Sequence, residues 1–202
     1  MPTPLTFPTL SKAPTVCRFS LVPNTQTFES PLNRTVQTVD LPGARWSFGL
    51  EYRAISLADA RILKAFLAQL RGRAGRFYLG DYTHKTPAGT ALGSGMVKGA
   101  NQTGSSLITD NWTPNQAALF LPGDYVGING ELKIITQTIA ADALGEATLV
   151  FEPPLRTSPV DDTVLVTSNP KCTFMLKDDE QDQIIIDPER RPTLALEGME
   201  VF

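Results

Sequence analysis

The sequence predicts a mainly β protein: a β-sandwich with one flanking helix, carrying a small inserted β-barrel domain. Three observations predict it. The 15 Gly and 16 Pro, with abundant Thr, are the composition of many turns and short strands. Apolar and polar residues alternate in most of the patterned segments, as in half-buried strands. A single segment repeats its apolar residues at helical spacing. With 202 residues, 42% of them hydrophobic and 19% charged, the chain is long enough to bury a core without disulfide staples.

The opening MPTPLTFPTLSKAP has Pro2, Pro4, Pro8 and Pro14, four positions without a backbone donor, so this arm is expected to lie extended over a neighbour or to stay mobile. It lacks the apolar run of a signal peptide, and no 18-residue apolar stretch follows, so a soluble protein that does not use the usual export route is expected. VCRFSLV (16–22), RTVQTVDL (34–41) and ARWSFGLEYR (44–53) alternate as three strands, the last with Trp46, Phe48, Leu50 and Tyr52 on one face. Pro42 and Gly43 turn the second strand into the third.

The period then changes. Ser56 can N-cap a helix over about 57–71, Asp59 sits where a capping box needs it, and Leu63, Phe66, Leu67 and Leu70 form one stripe. Gly72 fits as the C-cap glycine, and GRFYLGDY (75–82) returns to strand with Phe77 and Leu79 alternating against Arg76 and Tyr78. Arg71, Arg73 and Arg76 lie among these glycines. A phosphate loop places its glycines before a helix, where free N–H groups point at the anion, whereas these follow one, where orphan carbonyls prefer cations. Arg71 and Arg73 therefore read as last-turn residues that complement the dipole or pair with acids on another chain. All three arginines are candidate subunit-interface residues.

From residue 83 the texture shifts to Gly, Thr and Ser, followed by short strand candidates at 117–121, 125–128, 131–139, 147–152 and 163–167. Asn129-Gly130 is a hairpin signal, and ADALGE (141–146) a longer turn. This spacing predicts a compact barrel. CTFMLK (172–177), QIIID (183–187) and LALEGMEV (194–201) resume longer strands, with the acidic turn DDEQD (178–182) between the first two. The expected organisation is an outer domain of residues 1–82 and 170–202, interrupted by an insertion at 83–169.

No chemistry emerges from the motifs. His84 is the single histidine, without a nucleophile elbow near it, and reads as a surface residue. Asp178, Asp179, Glu180 and Asp182 lack calcium-loop spacing and read as a solvated hairpin tip. Asp161 and Asp162 are adjacent, so in a strand they would point to opposite faces and could not act as a glycosidase pair. Cys17 and Cys172 are isolated and suit a reducing compartment, and no Walker, dinucleotide or zinc signature is present. No catalytic residue, metal site or cofactor is expected. The net charge of −3 gives no overall basic field for nucleic acid. Trp112, in DNWTP, has two readings: a plug for one end of the barrel, which the gain from burying a large aromatic favours, or a glycan-stacking platform.

The order of parts, with GARWSFGLEYRAIS, LADARILKAFLAQLRGRAGRFYLGD, PGDYVGINGELKIITQTIAADALGEATLVFEPPLR and a closing ALEGMEVF, resembles the distal tail proteins and related minor tail proteins of long-tailed, non-contractile bacteriophages. The resemblance spans nearly the whole chain and is carried by Trp46 to Asp81 and by Gly123 to Arg156. It implies a tail-tube-like β-sandwich, assembled as a hexameric ring between the tail tube protein and the tail-tip hub protein. It also implies a structural, non-enzymatic role in the virion tail, with assembly in the host cytoplasm, DNA only as passing cargo and no membrane insertion. The alternative it carries is a carbohydrate- or receptor-binding module built on the inserted domain.

Overall fold

A computed structural model describes residues 3–202 apart from 182, 188 and 190. Along the chain run β1 (Leu5–Thr6), β2 (Val16–Val22), β3 (Thr25–Glu29), β4 (Val36–Asp40) and β5 (Arg45–Tyr52). Then come α1 (Leu57–Leu70), a 3-10 turn (Gly72–Ala74) and β6 (Phe77–Leu79). β7 (Gly93–Val97), β8 (Gly104–Trp112), β9 (Tyr125–Ile128), β10 (Glu131–Ile135) and β11 (Ala147–Leu155) follow. β12 (Cys172–Leu176), β13 (Ile185–Ile186) and β14 (Pro192–Glu200) complete it. The protein is mainly β, and α1 is the only α-helix among the described residues.

The chain divides into two compact units, one of residues 8–75 and 175–202 and one of 3–7 and 76–174. The dividing points lie outside the expected 83 and 169 because β6 pairs with β1 on one side and β12 on the other. Phe77 also meets Phe7 at 5.9 Å and Phe174 at 6.4 Å between ring centroids. These three strands therefore cluster with the barrel residues.

In the first unit β5 lies between β14 and β2, antiparallel to both. Its alternation is the expected one: Trp46, Phe48, Leu50 and Tyr52 are buried, as are Leu194 and Leu196 of β14. Each such side chain contributes about 1.5–3 kcal/mol relative to exposure. Helix α1 starts where the capping box places it, with Ser56 Oγ accepting from Asp59 N at 3.0 Å. Its buried stripe includes Leu63, Phe66, Leu67 and Leu70. The C-terminus differs from expectation: Arg71, not Gly72, is the left-handed cap (φ 54°), its N–H donating to Ala68 O, with Gly72 also at positive φ. No basic residue lies in the last helical turn.

The proline-bearing arm is not free over the described residues. Leu5 N donates to Arg76 O at 2.7 Å, and Phe7 is buried. Further on, the Ser11 amide donates to Asp59 Oδ1 at 3.1 Å, and the Ser11 hydroxyl donates to Asp59 Oδ2. The arm thus pairs within its own chain, because the residues between its prolines keep their donors.

In the second unit a five-stranded sheet, ordered β7-β8-β11-β10-β9, curls round a core that includes Leu107, Leu119, Phe120, Val126, Leu149 and Phe151. Residues 163–166 tie its two edges. Val164 bridges Met96 of β7, and Val166 bridges Gly127 of β9, so one short segment closes the curl into a small barrel. Asn129 and Gly130 both take positive φ, as a two-residue hairpin between Ile128 and Glu131 demands. Of the expected strand at 117–121 only a Phe120–Ile139 bridge forms. The chain enters and leaves the barrel side by side: Asn169 N donates to Lys85 O at 2.5 Å, and a side chain at Gly80 would strike Pro170 O.

One charged pair lies inside this unit. Lys133 is fully buried, with Nζ donating to Glu131 Oε2 at 2.6 Å and to Pro154 O at 2.8 Å, and it lies over the Phe151 ring. Glu131 also accepts from the amides of Arg156 and Thr157, so the carboxylate pins the chain that leaves β11. Glu131→Ala, which strands the ammonium, is expected to cost about 3–5 kcal/mol in denaturant unfolding, more than Lys133→Met, which removes the buried charge.

Candidate functional site

The sequence-marked residues do not converge. Arg71 and Arg73 are exposed on the turn after α1, and Arg76 is half-buried before β6. This turn meets the acidic segment where Arg73 N donates to Asp179 Oδ1 at 2.7 Å. The acid lies on the same chain. Asp182 of the acidic segment lies outside the described residues. Among the described residues no group of three or more His, Cys, Asp or Glu is placed to hold a metal ion, and no helix is long and apolar enough to cross a membrane.

His84 lies on a local turn. The buried Asp81 carboxylate accepts from the Thr83 amide at 2.8 Å and its hydroxyl at 2.6 Å, and lies 3.2 Å from His84 Nδ1. Burial pushes the Asp81 carboxyl up, but the Thr83 and His84 hydrogen bonds outweigh it and hold the group below the ordinary value. The imidazole is exposed, with the Tyr125 ring 6.1 Å away between centroids. The Thr83 hydroxyl lies 2.7 Å from His84 Nδ1. Asp161 and Asp162 are likewise structural: Asp161 Oδ1 accepts from Gly99 N at 2.6 Å, and Asp162 takes positive φ.

Trp112 corrects the glycan-stacking alternative. Its side chain is buried in the barrel core, edge-on to Phe120 at 5.5 Å. Its Nε1 donates to Thr109 Oγ1 at 2.8 Å, and the hydroxyl in turn donates to Ala147 O. A Cβ at Gly95 would overlap the indole ring, so that glycine makes room for it. With both faces enclosed and the N–H satisfied, the ring offers no platform for a sugar. Trp112→Ala is expected to destabilise the barrel by about 3–5 kcal/mol, and tryptophan fluorescence should not change when oligosaccharides are added.

Other charged groups serve local order. Asp59 is buried at the start of α1 and holds three donors at once. Hydrogen bonds from the Ser11 hydroxyl and amide, then from Ser56, hold its carboxyl below the usual value of 3.8 despite burial. A lowered folded-state pKa contributes stability that is present above the unfolded value and lost as pH falls through the folded one. The stability difference between the native chain and Asp59→Asn is therefore expected to shrink below about pH 4, as read by denaturant midpoints. On the sheet surface, hydrogen bonds from Arg53 and then Arg18 lower the Glu51 pKa.

The segment that stands apart was only half visible in the sequence. β3 and β4 form a two-stranded ribbon in which every residue is exposed. Its base is tied by Leu41 N to Asn24 O and by Asn24 Nδ2 to Pro42 O, both at 2.8 Å. Its tip is ordered by Ser30 N to Thr35 O, Arg34 N to Ser30 O and Thr35 Oγ1 to Asn33 Oδ1. Five residue pairs reach about 17 Å. Phe28, Leu32, Val36 and Val39 are exposed on it at 52%, 96%, 61% and 39%. The strand 34–41 was expected from its alternation, but its partner at 25–29 was not. The available signal was the β-branched run around Phe28, without a buried face to give it a period.

No protein-family model matches this chain, and no curated protein matches it. The class defined by fold and site is a β-rich protein of two units with an exposed β-ribbon and no convergent catalytic group among the described residues.

Proposed function

We propose that this protein is a structural component of a bacteriophage tail tip, a hexameric ring that joins the tail tube to the tip hub. The observation that carries the reading is the β3–β4 ribbon. An isolated two-stranded hairpin is marginally stable in water, and this one leaves four large apolar side chains exposed. Such an element gains its stability by association, and a closed ring of identical copies satisfies exposed strands without open-ended growth. The sequence resemblance points the same way, since its two stretches fall on β5 through β6 and on the barrel strands β9 to β11.

The hydrogen bonding of the remaining charged groups supports a structural over an enzymatic role. Asp59, Asp81, Glu131 and Asp161 each hold backbone amides in place. A net charge of −3 would let phosphates slide past a ring lumen instead of holding them there. The tail tube and hub proteins would be the neighbours and DNA a transient passenger.

Imaging of isolated tails with a label on this chain should place about six copies at the distal end. Label distributed along the tube, or absent from the tail, overturns the proposal. Trypsin should cut the free chain at Arg34 on the exposed ribbon tip, and assembly should slow that cut at least about tenfold, as measured by mass spectrometry over time.

A further inference from the structure

The hairpin between β9 and β10 is the one place where the sequence sets glycine after asparagine. That pair carries a chemistry of its own. A backbone amide nitrogen can attack the side-chain amide carbon of the asparagine before it, provided that its own residue leaves room and its N–H is not held elsewhere. Asn129-Gly130 meets each condition. Both residues are exposed, and nothing lies within 4 Å of the place where a Cβ on Gly130 would stand. Ile128 and Glu131 pair directly, so the ladder ends before the turn. Among the described residues neither the Gly130 N–H nor the Asn129 side chain has a hydrogen-bond partner within the chain.

The other six asparagines lack this combination. Asn169 precedes Pro170, which has no N–H to react. The side chains of Asn24, Asn33 and Asn111 are tied to Pro42 O, the Thr35 amide and Ser94 O. Asn101 and Asn115 precede Gln102 and Gln116, whose larger side chains crowd the attack and are themselves held by hydrogen bonds.

We propose that Asn129 is a site of spontaneous deamidation in the folded protein, and that its isoaspartate product weakens the barrel at Glu131. The Gly130 nitrogen gives up its proton and bonds to Asn129 Cγ, the Cγ–Nδ2 bond breaks, and ammonia leaves a cyclic succinimide. Water then opens the ring at either carbonyl. One opening restores an ordinary backbone with aspartate at position 129; the other routes the backbone through the side chain and lengthens it by one methylene. Aspartate followed by glycine still suits a two-residue turn with positive φ at both positions. The longer backbone does not, because the next residue, Glu131, must hold the Arg156 and Thr157 amides and the buried Lys133 ammonium. Neither the turn nor its chemistry depends on assembly into a ring.

The full chain, kept folded at mildly alkaline pH and followed by peptide mass spectrometry, should gain about 1 Da at Asn129 at least about tenfold faster than at any other asparagine. Isoaspartyl methyltransferase should label the same peptide, and the rate should rise with pH because the attacking nitrogen must shed its proton. Asn129→Asp should keep the denaturant midpoint of the fresh native chain, whereas the isoaspartate fraction, separated by chromatography, should unfold at lower denaturant. A gain no faster than at Asn101 or Asn115 overturns the site. So does a gain that occurs only once the chain is unfolded in urea, since the hairpin would then protect the pair. An isoaspartate fraction with an unchanged midpoint overturns the effect at Glu131.

Discussion

A strand at the edge of a sheet carries N–H and C=O groups that its own sheet cannot satisfy, and the two units meet that constraint in opposite ways. The barrel resolves it internally. Val164 bridges β7 and Val166 bridges β9, so a stretch too irregular to count as a strand joins the two edges of the curled sheet. The other unit leaves β2 paired on one side by β5 and extends the same pair of chain segments into a ribbon with both faces in solvent. The second unit joins the edges of its curled sheet through its own chain, and the first carries a ribbon whose strand residues are all exposed. The reading of the molecule as an assembly component rests on that contrast.

The polar interior follows from the same demand applied to single groups. Buried polar atoms must be paired, and here buried carboxylates do this for loops that would otherwise hold orphan amides. Asp124 accepts from Ala88, Gly89 and Leu121. Glu131 accepts from Arg156 and Thr157 and also satisfies Lys133. Asp59 joins the N-terminal arm to the first turn of α1. Each of these acids is placed to hold backbone.

Much of the fold was legible because burial imposes a period. The alternation of β5 and the stripe of α1 each mark a face that is truly buried, and Asn129-Gly130 marks a turn that needs positive φ twice. The failures fall where that link breaks. β8 was missed because Thr109, fully buried, reads as polar, and because Asn111 at positive φ shifts the register before Trp112. β3 has no buried face at all, so its β-branched residues carry no period to mark a strand. The helix ends one residue before the expected bound because Arg71, ahead of Gly72, already takes a left-handed conformation. The ribbon was the least legible part of the candidate site for the same reason that it is of interest: its strands bury no face against the chain's own core.

The adjoining entry and exit of the barrel have a consequence for how the chain could be re-engineered. Joining two chain ends that already touch costs little loop entropy, so the stretch between Lys85 and Asn169 behaves as a cassette. A shorter link, or an unrelated domain whose termini lie equally close, could be grafted there without redrawing β6 or β12.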